Sequence, residues 1–182
     1  RWMKGDKVLK RQKASRREAN LSQKAQEGVV VYNDVFPDVD VKYTYNGNLV
    51  EEFLIFGESF KKALKESGAD SVDVVTHMPE LKKGGDVGLA FDGDATPLEA
   101  SPLSTKEELN LLHVFMPVAK LPKSNAFVEG QEADKASHYI ATKTLEIEET
   151  GTNVSVRMPA SYFAEATGKV YLDPSIVDET GS

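Results

Sequence analysis

Val39-Asp40-Val41-Lys42-Tyr43-Thr44-Tyr45-Asn46-Gly47-Asn48-Leu49-Val50-Glu51-Glu52-Phe53-Leu54-Ile55-Phe56 is the stretch on which the fold reading turns. Its first half alternates apolar and polar residues with period two, the mark of a strand that buries one face. Asn46-Gly47 then supplies residues that tolerate positive φ, as a two-residue type I′ hairpin turn requires. With the turn centred there, Val50 falls opposite Tyr43 and Glu51 opposite Lys42, an apolar pair and an opposite-charge pair. Further from the turn Val41 meets Glu52 and Asp40 meets Phe53, which calls for a bulge or for a strand covered on both faces.

Working outward, Gly28 to Tyr32 is a β-branched run that predicts a strand before the hairpin. Glu58–Ser67 has Phe60 and Leu64 at helical spacing and Gly68 as a stop, which predicts one short helix. Beyond it, β-favouring pieces fall at Ser71–Thr76, Val87–Phe91, Leu111–Val118, His138–Glu148 and Asn153–Met158, the last two joined by a turn at 149–152. Residues 95–110 and 120–136 read as loops. Many short strands, one helix and no alternation of strand with helix predict a mainly β domain, an antiparallel β-sandwich or open barrel, over residues 28–178, with 95–136 as the place where two sub-sheets would divide.

The 182 residues are 40% hydrophobic and 28% charged, with no cysteine. Disulfides, thiolate metal sites and thiol nucleophiles are thereby excluded, and a chain of this length has enough core to fold without them. Residues 1–27 carry nine Lys/Arg against three Asp/Glu, so that about −13 of charge on the remainder produces the net −7. They read as a basic N-terminal arm in which Lys10, Arg11, Lys13, Arg16 and Arg17 are the candidate contacts with an acidic protein partner or neighbouring module. Nucleic acid is not expected, because the acidic body repels phosphate and the arm offers only Trp2 for stacking. The start at Arg1 without a leader reads as a fragment or mature product, and 179–182 as a polar tail.

Candidate chemistry is sparse. Asp34, Asp38 and Asp40 could supply oxygen ligands to calcium or, remotely, the carboxyl pair of a glycoside hydrolase. Beside Pro37 their expected use is to cap local backbone. Asp92-Gly93-Asp94, with Asp86 nearby, lacks the spacing of a calcium loop and reads as a turn. His77, His113 and His138 have no ligand spacing. Nucleophile elbows and phosphate loops do not occur in the sequence. Tyr43, Tyr45 and Tyr162 are the candidate contacts of a glycan platform, the alternative being core or cross-strand aromatics.

The run Val31-Tyr32-Asn33-Asp34-Val35-Phe36-Pro37-Asp38-Val39-Asp40-Val41-Lys42-Tyr43, then Val50-Glu51-Glu52-Phe53, resembles a strand-rich module that precedes propeller-type or YD-type repeats in large bacterial secreted and cell-surface proteins. Val156-Arg157-Met158-Pro159-Ala160-Ser161-Tyr162-Phe163, with Ala166-Thr167-Gly168-Lys169-Val170, is similar to the closing segment of that module. Asp38 stands where the module has glycine, and Glu51 where it has lysine. The resemblance implies a non-catalytic structural or interaction role outside the cell, in assembly or adhesion; no cofactor is expected, and membrane insertion is not expected because no stretch approaches the roughly 20 apolar residues of a membrane helix. Its partner would be a protein or a neighbouring module, with a wall or surface polysaccharide, bound as by a carbohydrate-binding module, as the alternative.

Overall fold

The computed structural model describes residues 1–15, 28–47, 49–79, 88–91, 94–96, 118–121 and 123–174. Among these residues there are thirteen strands: β1 Trp2–Lys4, β2 Lys7–Lys10, β3 Val29–Phe36, β4 Val39–Asn46, β5 Leu49–Phe56, β6 Ser71–Met78, β7 Gly88–Phe91, β8 Asp94–Thr96, β9 Val118–Leu121, β10 Ser124–Val128, β11 Tyr139–Glu148, β12 Gly151–Pro159 and β13 Val170–Asp173. Among the described residues they are accompanied by the α-helices α1 Glu58–Ser67 and α2 Ala160–Glu165 and a 3₁₀ turn at Lys135–Ser137. The chain is thus mainly β, as the alternation predicted. The ten-stranded sheet runs β2-β1-β6-β12-β11-β10-β13-β5-β4-β3, and β8-β7-β9 form a second, smaller sheet.

Two compact units divide the chain. One comprises Arg1–Asp73, Asn125–Ala141 and Arg157–Pro174, the other Val74–Ser124, Thr142–Val156 and Ser175–Ser182. In the first unit β4 and β5 pair as the sequence required, but two residues out of the expected register: Tyr43 faces Glu52, Tyr45 faces Val50 and Asn46 faces Leu49. The reason is packing. A shift of two keeps every side chain on its face, and it sets Val39 opposite Phe56 and Val41 opposite Leu54, all four buried. Gly47, at φ 63°, supplies the positive φ of the turn.

Phe53, Leu54, Ile55 and Phe56 are all buried, so β5 is covered on both faces and the awkward pairs of the sequence reading disappear. On one face Phe56 meets Phe60 of α1 and Phe163 of α2, with ring centroids 4.8 and 5.1 Å away, and Trp2 stands edge-on to Phe60 at 5.6 Å. On the other, Phe53 and Ile55 cluster with Phe127 of β10, and Tyr171 of β13 packs against them. Each such ring or aliphatic chain, fully buried, is worth roughly 1.5–3 kcal/mol.

Helix α1 buries Phe60 and Leu64 and stops at Gly68 in the left-handed conformation, as expected. Its N-cap position, Gly57, has no side chain to cap with. The missing acceptor comes from 22 residues away, where Asp38 Oδ2 receives the Phe60 N–H at 3.0 Å. A Cβ at 57 would overlap the Asp38 carboxyl, so a larger residue there has to displace the cap. Lys61 Nζ donates to the carbonyls of Ala166 and Gly168, both at 2.9 Å, and so fixes α1 to the segment after α2.

Residues 2–10, which the charge pattern assigned to a free arm, instead form the β1–β2 hairpin, and β1 pairs with β6. Trp2 and Met3 are buried in the core. Beneath the hairpin Asp73, 1% exposed, is held by Arg157 (Nε to Oδ1 2.6 Å, Nη2 to Oδ2 2.9 Å) and by Arg1 Nε (3.0 Å). Burial alone would raise this carboxyl. The hydrogen bonds and charges of the two guanidinium groups outweigh it and hold Asp73 below the usual carboxylate range.

In the second unit β7 pairs antiparallel with β8, Phe91 opposite Asp94, and parallel with β9, a pairing the antiparallel expectation did not include. Thr152, Val154, Ser155 and Val156 of β12 are buried there. Gly151 sits at φ 148°, and a Cβ on it would come within 2.7 Å of His77 Cε1, the Met78 carbonyl oxygen and Pro79 Cα.

Candidate functional site

Along β4 the inward face runs Val39, Val41, Tyr43, Tyr45, and opposite it on β5 stand Phe56, Leu54, Glu52 and Val50. The first two pairs are core; the last emerges from it. Tyr45 is 60% and Val50 58% exposed, so two large apolar side chains lie directly opposed in solvent. Behind them Tyr43 is half-buried, with Tyr32 of β3 edge-on to it at 5.9 Å and 86°. Strand alternation alone places these groups on one surface.

The Tyr43 hydroxyl donates to the Glu52 carboxylate. Burial, then the Glu52 charge and this hydrogen bond, push the phenol up to about 12. Burial also raises Glu52, the bond from Tyr43 opposes that shift, and the charge of Asp173 adds to it. The Tyr43 hydroxyl is thus held as a donor to Glu52, and it is the one influence on this carboxyl that favours the charged form over the neutral one. A carboxylate has room for about four such bonds. The surface thus combines an apolar strip with an anchored acceptor at its inner edge.

Tyr162 does not join it. It lies on α2 against Tyr139 (5.3 Å) and Phe163 (6.5 Å), and burial raises its phenol. Phe163 packs on Phe56, which pairs with Val39, six positions and about 20 Å of strand from Tyr45. The glycan candidates therefore divide into Tyr43 with Tyr45, which share a face, and Tyr162, which stands apart.

The three aspartates are drawn into backbone contacts. Asp40 Oδ1 accepts the Asp34 N–H at 2.8 Å and Asp38 caps α1. Asp34 and Asp38 both take positive φ, 50° and 57°, at the irregularity where β3 turns into β4. Among the described residues no three His, Cys, Asp or Glu side chains are grouped to hold a metal. His77 Nδ1 lies 2.7 Å from Asn153 Oδ1, and His138 stacks on Phe127 with Nε2 2.9 Å from the Glu132 carbonyl. His113, Asp86, Asp92 and Gly93 lie outside the described residues; Asp94 opens β8.

Of the basic candidates, Lys10 places Nζ 4.7 Å from the centroid of the Trp2 ring, and Arg11 and Lys13 are exposed. Ser15 ties their segment to β3, its N–H on the Val35 carbonyl at 2.8 Å and its hydroxyl on Asp34 and Val35. Arg16 and Arg17 lie outside the described residues. Two arrangements escaped sequence reasoning, Tyr43–Glu52 and Arg1–Asp73–Arg157. The first needed the correct register, and the second joins three residues distant in sequence. No helix among the described residues is long and apolar enough to cross a membrane. No family model, curated protein or solved structure matches the chain.

Proposed function

We propose that the chain is a non-catalytic interaction module of a larger bacterial extracellular or cell-surface protein, working in assembly or adhesion through the Tyr45–Val50 end of the β3–β4–β5 surface. The observation that carries this is the exposed, directly opposed Tyr45–Val50 pair flanked by half-buried Tyr43 and Tyr32. Single exposed apolar residues are ordinary on any protein surface; a contiguous group on rigid strands is the usual mark of a binding surface. The resemblance of residues 28–56 and 153–178 to the repeat-preceding module supports the extracellular setting. Tyr45→Ser with Val50→Ser, placed in the natural full-length polypeptide, tests the reading. Adhesion or assembly of the source cells falls while the amount of polypeptide is maintained; both properties unchanged would refute it.

A further inference from the structure

We infer that the ligand of this surface is a neutral polysaccharide, with a sugar ring seated on Tyr45 and its hydroxyls donating to Glu52. The inference rests on the reading of the surface given above and adds the chemistry of the partner.

A pyranose has an apolar C–H face and a polar rim, and the surface has the same two parts in the same order. Tyr45 and Val50 offer the apolar area, and Glu52, opposite Tyr43 one step inward on the same face, offers the acceptor. An aromatic ring supplies large contact area with few rotors to freeze. The carboxylate decides between partner classes. Glu52 is already partly desolvated and near the charge of Asp173. A dry protein surface over Tyr45 and Val50 would bury that carboxyl further, an unfavourable step for a charge. A polyol brings O–H donors wherever it lies and satisfies the remaining lone pairs. The sign of the charge then selects among polysaccharides. With net −7 on the chain and the charge of Asp173 acting on Glu52, an anionic polymer is repelled and a neutral one is not.

The test is affinity electrophoresis of the purified chain through gels containing laminarin, xyloglucan or galactomannan, with alginate as the anionic comparison. Retardation is expected in at least one neutral polymer and not in alginate. Tyr45→Ala and Glu52→Ala each weaken it by about tenfold or more, the scale of a lost aromatic contact or charge-assisted hydrogen bond, whereas Tyr162→Ala leaves it unchanged. Trp2 fluorescence at the wild-type wavelength verifies that each variant is folded. Migration unaffected by every neutral polymer, or retardation that survives Tyr45→Ala, overturns the inference. If no polymer binds while Tyr45→Ser with Val50→Ser still abolishes adhesion, the surface reading stands and its ligand is a protein. If neither responds, both fall.

Discussion

Replacing Asp73 by Asn keeps its shape and removes its charge. In the native chain its two oxygens receive three short bonds from Arg157 and Arg1 at 2.6, 2.9 and 3.0 Å. After substitution one oxygen becomes an NH₂ that faces guanidinium donors, and Arg157 loses its hydrogen-bonded counter-charge while the charges of Asp6 and Asp70 remain. Breaking a buried ion pair from one side costs about 3–5 kcal/mol. The lower end applies here, because the Arg157 side chain is 37% exposed and water replaces part of what it loses. The expected loss is therefore about 3 kcal/mol, large against a typical total of about 5–15. Trp2, the sole tryptophan, is buried on the strand that Asp73 clips and reports this unit. In urea at pH 7 its unfolding midpoint should fall by about 1.5–2 M. Once Asp73 is Asn, a further Arg157→Met should cost little, since the two act as one group. A midpoint shift under about 0.5 M would refute the view that this carboxylate holds the hairpin in place. Because the folded pKa of Asp73 is depressed, its contribution is fully present above the ordinary value of 3.8 and is lost as pH falls below it.

Asp38→Ala should cost about 1 kcal/mol in urea unfolding, the usual value of a helix cap. Gly57→Ala should cost more than that in the native chain and little in the Asp38→Ala background, because the carboxyl it collides with is then gone. Equal costs in both backgrounds would show that the collision is not the cause. Glu52 carries a raised folded pKa, so its favourable contribution is complete below the ordinary value of 4.5 and is lost as pH rises. Glu52→Gln should accordingly unfold at equal or higher urea than wild type at pH 7, with the difference shrinking as pH falls below 4.5; a variant weaker at pH 7 would contradict this. Gly151→Ala should lose the second unit's amide protection in hydrogen exchange, as φ 148° suits glycine alone and three neighbouring atoms block a Cβ. Native protection in that variant would contradict the assignment.

What the sequence made legible was local. The period-two run 39–45 and the i, i+4 pair Phe60–Leu64 each write their structure into a few adjacent residues, and both elements form where they were expected. The hairpin register was not legible, because Asn46-Gly47 and Gly47-Asn48 are both acceptable turns and only the burial of Leu54 and Phe56 against Val41 and Val39 decides between them. β10 falls in a stretch that reads as loop because of Pro122, Gly130 and its many charges; its pairing with β13 makes it a strand. Helix α2, six residues long, was too short for a periodic signal. Residues 1–10 look basic and solvated by composition, yet their two largest apolar groups, Trp2 and Met3, are the ones that enter the core. The candidate surface shows the same division. Tyr43 and Tyr45 could be named from spacing, but Glu52 could not join them until the register placed it opposite Tyr43. Asp38 was expected to cap nearby backbone, and the helix it caps lies 22 residues on.

The central claim is that the Tyr45 end of the β3–β4–β5 surface is occupied when the protein is at work. Mild tyrosine iodination followed by peptide mass analysis tests it directly, comparing the isolated chain with the same residues in the natural polypeptide on intact source cells. Tyr45, 60% exposed in the isolated chain, should label readily there and be protected several-fold on the cells, while exposed residues elsewhere on the chain, such as Lys62 and Lys65 of α1, remain open to a membrane-impermeant amine reagent. Equal labelling of Tyr45 in both settings, with the lysines reactive, would contradict the claim.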